Sequence, residues 1–61
     1  MRKTKNNIAL LKQKFQQAQY LQQTGRLVDA EIIYVEILKH APAHSDCLHY
    51  LGMLYFQKGD L

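Results

Sequence analysis

Between residues 40 and 49 the chain carries His40, His44, Cys47 and His49, imidazoles and a thiol of the kinds that bind zinc. Their spacing argues against a site. Pro42 separates the first two histidines, so they are not a helical pair, and Cys47 and His49 project from different faces of a helix. Cys47 reads instead as a small, partly buried residue. His44, Ser45 and Asp46 supply the side-chain types of a hydrolytic triad. A nucleophile, a base and an orienting acid must converge in space, however, and immediate neighbours at a helix start do not. No glycine-rich phosphate loop is present. No catalytic, cofactor-binding or metal-binding residue is assigned, and the chain itself is not expected to be an enzyme.

The remaining polar concentration is six glutamines between Gln13 and Gln23. Phe15, Ala18 and Leu21 interleave with them, which makes the segment a helix with a polar face rather than a low-complexity tract. Ile8, Leu11, Phe15 and Ala18 recur at three- and four-residue intervals and predict a first helix over residues 7–23, capped by Thr4 or Asn7 and closed by Gly25. Two heptads are too few for a coiled coil.

A second helix is predicted over residues 27–40. Ala30, Ile33, Tyr34 and Ile37 lie on one face and Val28, Ile32 and Val35 on another, which calls for two neighbours. Asp29 and Glu31 near its start and Lys39 and His40 at its end suit the helix dipole. Pro42 breaks the chain, and Ser45 is the expected cap of a third helix with Leu48, Leu51, Gly52 and Tyr55 facing inward. Gly59 repeats the stop at Gly25, and Asp60 would cap a fourth helix beginning at Leu61.

The charge is uneven. The net +3 divides into +5 over the first 14 residues (Arg2, Lys3, Lys5, Lys12 and Lys14) and −2 over the rest. Such an arm reads as a solvated end rather than a nucleic-acid or membrane contact. The Ile8–Leu11 run is too short for a signal peptide or a membrane span, and the lone cysteine fits a reducing compartment, so a soluble cytoplasmic protein is expected. A chain of 61 residues buries only about 60% of its unfolded surface, which leaves a thin stability margin.

Displacing the sequence by 34 residues superimposes Gln23 on Gln57, Gly25 on Gly59, Leu27 on Leu61, Ala18 on Gly52 and Leu21 on Tyr55. With Leu48-x-x-Leu51-Gly52-x-x-Tyr55, Ala30-x-x-x-Tyr34 and Pro42, the chain resembles the tetratricopeptide repeat family. Leu48 stands where tryptophan is usual, Lys14 and Gln17 where large apolar residues are usual, and Arg26 where an Asp caps. The resemblance implies an all-α fold of antiparallel helix-turn-helix repeats, an α-solenoid of three helices with an incomplete second repeat. Residues 1–10 would form a basic arm and helix start, 11–44 the first repeat and 45–61 a truncated second, at the N-terminal start of a longer protein. Ala18, Gly52 and Ala30 would let helix backbones approach closely.

In this family the concave face built by the first helix of each repeat holds peptides or partner helices. Carried over by position, that implies Phe15, Gln16, Gln19 and Gln23 from the first repeat and His49, Tyr50, Met53 and Phe56 from the second. The chaperone-tail clamp of some members needs Lys and Asn where Phe15, Gln19 and Tyr50 stand, and the asparagine ladder of sugar-transferring members needs Asn at Gln16 and Tyr50. Neither is reproduced, but glutamine amides can bond a peptide backbone. The expected function is a protein-interaction scaffold without cofactor. The alternatives are the repeat segment of a larger glycosyltransferase or methyltransferase, suggested by Asp46, Leu48, His49 and Leu51-Gly52, and a basic three-helix DNA-binding domain. The latter suffers because residues 45–58 offer only Gln57 and Lys58 as base-reading groups. With no helix to follow it, the third helix should leave Leu51, Leu54 and Tyr55 partly exposed and prone to self-association.

Overall fold

The computed structural model describes residues 2–59, with side chains from residue 9 onward. Within them the chain is all-helical: α1 (Arg2–Gln23), α2 (Leu27–His40) and α3 (Ser45–Lys58). Thr4 and Asn7, expected as caps, lie within α1 and so do not cap it; the side chains of Arg2, Lys3, Lys5 and Ile8 and the fourth-helix start at Asp60 and Leu61 lie outside what the structure describes.

Helix α1 begins at Arg2 rather than near residue 7. Arg and Lys are good helix formers, and neither glycine nor proline interrupts the basic segment. Its end lies where the sequence places it. Gly25 takes φ +88°, and the amides of Gly25 and Arg26 bond back to the carbonyls of Gln22 and Leu21 at 3.3 and 2.8 Å. The short connection folds α2 antiparallel onto α1, so that the Lys14 ammonium meets Glu36 Oε1 at 3.2 Å. Arg26 occupies the α2 N-cap without a side-chain bond to the backbone, and its guanidinium pairs with Asp29 instead.

After Pro42 the cap of α3 is His44, not Ser45. Its Nδ1 accepts the Cys47 amide at 3.0 Å, and Ser45 is the first helical residue. The turn bond from His44 N–H to the Ala41 carbonyl sets the backbone, and the imidazole packs 5.4 Å from the Phe15 ring centroid. Gly59 ends α3 with φ +81°.

The core is Ala18, Ala30, Tyr34, Ile37, Cys47, Leu51 and Leu54, with Leu11, Phe15, Ile33 and Tyr50 against it. Ala18 and Ala30 are fully buried, as expected of small residues at a helix crossing. Four expectations are corrected. Leu51 and Leu54 are buried, because α3 turns the stripe Cys47, Leu51, Leu54 inward rather than Leu48, Leu51, Gly52. Gly52 is exposed, with no atom within 4 Å of where its Cβ would stand, so its small size serves no contact here. The second apolar face of α2 has no neighbour among the described residues: Val28 is 63% and Ile32 61% exposed. Cys47 is fully rather than partly buried.

Because Gly52 lies mid-helix with open space at its Cβ, Gly52→Ala is expected to stabilise the chain by about 1 kcal/mol through backbone entropy and helix propensity. Thermal unfolding followed by circular dichroism reads this as a higher melting midpoint; a lower one would mean that the glycine is needed for a contact.

Candidate functional site: the groove between α1 and α3

One residue ties the three helices together, and it is polar. Gln22 is only 6% exposed; its Oε1 accepts the Tyr34 hydroxyl at 2.6 Å, and its Nε2 donates to Gln57 Oε1 at 2.7 Å and to the Tyr50 carbonyl at 3.3 Å. The Tyr34 hydroxyl thus donates to a partner inside the protein, and burial pushes its pKa up to about 12. The Cys47 thiol donates to the Tyr34 carbonyl at 3.3 Å, and burial raises its pKa as well. Sequence reasoning missed Gln22. The available signal was its position, four residues after Ala18 and seven after Phe15, which puts it on the buried face of α1.

Over this network α1 and α3 enclose an open groove. Its floor is aromatic: the Phe15 ring stands edge-on to Tyr50 at 5.4 Å and tilted to Tyr34 at 6.1 Å. Leu11, Lys12, Phe15, Gln16, Gln19, His44 and Asp46 line one end, and Gln19, Gln22, Gln23, Tyr50, Met53 and Gln57 line the other. Six of the eight residues expected on a binding face therefore share this groove: Phe15, Gln16, Gln19, Gln23, Tyr50 and Met53. His49 and Phe56 are not among its lining residues; they line a second depression on α3, which shares Met53 and Gln57 with the groove. His49 makes an edge contact with Tyr50 at 5.7 Å, and Phe56 is 70% exposed.

The chain matches no protein-family model, no curated protein and no solved structure. The residues alone must carry the reading of the groove. Among the described residues no three His, Cys, Asp or Glu side chains gather as a metal site, and no helix is long and apolar enough to cross a membrane. His44 is occupied as a helix cap and Cys47 is sealed in the core, so two members of the His/Cys cluster in the sequence already have structural roles.

The groove depends on α3 keeping its position, and a polar clamp at the opposite side of the helix contributes to this. Glu31 of α2 accepts Lys58 Nζ at 3.0 Å and the Tyr55 hydroxyl at 2.9 Å, and those two bonds hold its carboxyl below the ordinary carboxylate range. A carboxylate with a depressed folded-state pKa contributes stability above its unfolded pKa of about 4.5, which is lost as the pH falls through the folded value. Glu31→Gln should therefore be destabilising at pH 7 and close to neutral at pH 2. Urea unfolding of both proteins at the two pH values checks this; an equal deficit at both would deny the carboxylate its role.

Proposed function

We propose that the chain is a tetratricopeptide-type helical repeat module that binds an extended peptide in the groove between α1 and α3. The observation that carries this reading is the pairing of a fixed aromatic floor, Phe15 against Tyr50, with the amides of Gln16, Gln19 and Gln23 along its rim. Aromatic surface accepts apolar side chains at little entropic cost. Each glutamine amide offers both a donor and an acceptor to a peptide backbone, the pattern an extended strand presents. No nucleophile and base are in hydrogen-bond contact in the groove, and recognition without chemistry is what its composition serves.

The repeat part of the reading is supported by the two left-handed glycines, Gly25 and Gly59, which close α1 and α3 one 34-residue period apart. A cytoplasmic setting and the absence of a nucleic-acid partner belong to the same proposal. The exposed large side chains of α3, Leu48, Met53 and Phe56, are apolar and do not suit reading base edges.

Selection of binding peptides from a random display library on the whole chain, followed by nuclear magnetic resonance titration with the enriched sequences, tests the proposal. The expected result is saturable shifts at Gln16, Gln19, Gln23 and Tyr50, with affinity reduced roughly tenfold by Gln19→Ala. Absence of enriched sequences, or shifts that avoid this groove, would overturn it.

A further inference from the structure

The charges along the α1–α3 groove are gathered at one end. Of the charged residues whose side chains are described, Lys14, Arg26 and Lys58 are ion-paired with Glu36, Asp29 and Glu31. That leaves Lys12, Lys39 and Asp46. Two of these three, of opposite sign, line the same end of the groove. Lys12 stands on the α1 wall and Asp46 in the first turn of α3, and both are exposed rather than paired with each other. The other end, lined by Gln19, Gln22, Gln23, Tyr50, Met53 and Gln57, contains no charged residue. There Gln22 is engaged by Tyr34, Gln57 and the Tyr50 carbonyl, while the side-chain amides of Gln19 and Gln23 have no partner among the described residues.

Both walls run in the same sense, α1 from Lys12 to Gln23 and α3 from Asp46 to Gln57. The helical rise from Lys12 to Gln23 is about 16 Å, which about five residues of extended chain would span. We propose that the peptide held here, on the reading of the groove given above, is charged at one end only: an uncharged stretch of about three residues over the glutamines, then an adjacent acidic and basic residue. The acidic member faces Lys12 and the basic member faces Asp46. Neighbouring side chains of an extended strand point to opposite sides, so two consecutive residues meet the two walls. At the glutamine end a charged side chain would give up water to Tyr50 and Met53 and find no counter-charge, whereas a peptide backbone finds the donors and acceptors of Gln19 and Gln23. The two ends together fix the direction in which the peptide lies.

The test is a random hexapeptide display library panned in parallel on the whole chain and on its Lys12→Glu and Asp46→Asn variants. Both positions are exposed and unpaired, glutamate is a good helix former, and asparagine keeps the shape of aspartate, so both variants should retain the circular dichroism spectrum of the parent. The parent is expected to enrich sequences with an adjacent acid and base beside an uncharged stretch. Lys12→Glu should replace the acid with a base, and Asp46→Asn should lose the preference for a base while keeping the acid. By calorimetry, a peptide selected on the parent should bind Lys12→Glu about fivefold more weakly. Either variant selecting the parent's sequences, or charges enriched along the whole peptide, would overturn this proposal and leave the proposed function standing. No enrichment on any of the three proteins would overturn the peptide groove itself, and this proposal with it.

Discussion

Replacing Tyr34 with alanine is expected to unfold most of the chain at room temperature. The side chain is fully buried, and its ring packs on Phe15 at 6.1 Å. Its hydroxyl is the hydrogen-bond donor to Gln22, which in turn holds Gln57 and the Tyr50 carbonyl. Removing a buried aromatic ring costs about 3–5 kcal/mol through lost transfer energy and an unfilled cavity. The Gln22 Oε1 left without a partner adds about 1–3 kcal/mol if no water replaces the hydroxyl. Against this, a chain of 61 residues has roughly 3–9 kcal/mol in total. Far-ultraviolet circular dichroism should show a large loss of helix, with no cooperative thermal transition. Tyr34→Phe separates the two contributions: it keeps the ring and should lower the stability by only about 1–3 kcal/mol. The same pair reports on alkaline unfolding. A phenol whose folded-state pKa is raised to about 12 from 10.0 contributes stability that is present below pH 10 and lost as the pH rises toward 12. That part of the alkaline loss should vanish in the phenylalanine variant.

The helix limits were legible because they are set by local backbone requirements. Gly25 and Gly59 accept positive φ, and Pro42 refuses the helix, whatever surrounds them. The start of α1 was not legible, since a run of Arg, Lys and Asn contains no stop and the periodic apolar residues begin only at Ile8. The α3 cap is not legible for a related reason. Serine is the commoner cap, but whether Ser45 or His44 receives the Cys47 amide depends on how the turn from Ala41 delivers the backbone, and that is tertiary.

Which side of a helix turns inward depends on its neighbours, and here periodicity alone was ambiguous. Cys47, Leu48, Tyr50, Leu51, Met53, Leu54, Tyr55 and Phe56 leave α3 apolar nearly all round, so several phases satisfy the pattern equally. The candidate groove inherited this ambiguity. Its α1 half, Phe15, Gln16, Gln19 and Gln23, implied by position in the repeat resemblance, lines the groove throughout. Its α3 half came apart, with Tyr50 and Met53 facing α1 while His49 and Phe56 line the separate depression on α3. Gln22 escaped notice because a glutamine on a glutamine-rich helix looks like surface until the Tyr34 hydroxyl is seen to need a partner.

The phase of α3 can be tested by a pair of truncations whose order depends on it. Leu54→Ala is expected to cost about 2–5 kcal/mol, because the side chain is fully buried among core residues and its removal leaves a cavity. Phe56→Ala, two residues away and removing a larger side chain, should change the stability by no more than about 0.5 kcal/mol, because that ring is 70% exposed. Chemical denaturation of the two variants measures both. If α3 instead turned Leu48, Gly52 and Tyr55 toward α2, Leu54 would lie outside the contact and its truncation would be nearly silent. Such a result would also mean that Gly52, with open space at its Cβ, is covered instead. With Phe56→Ala silent and Leu54→Ala costly, the apolar ring at position 56 costs the isolated fold almost nothing and contributes almost nothing to it.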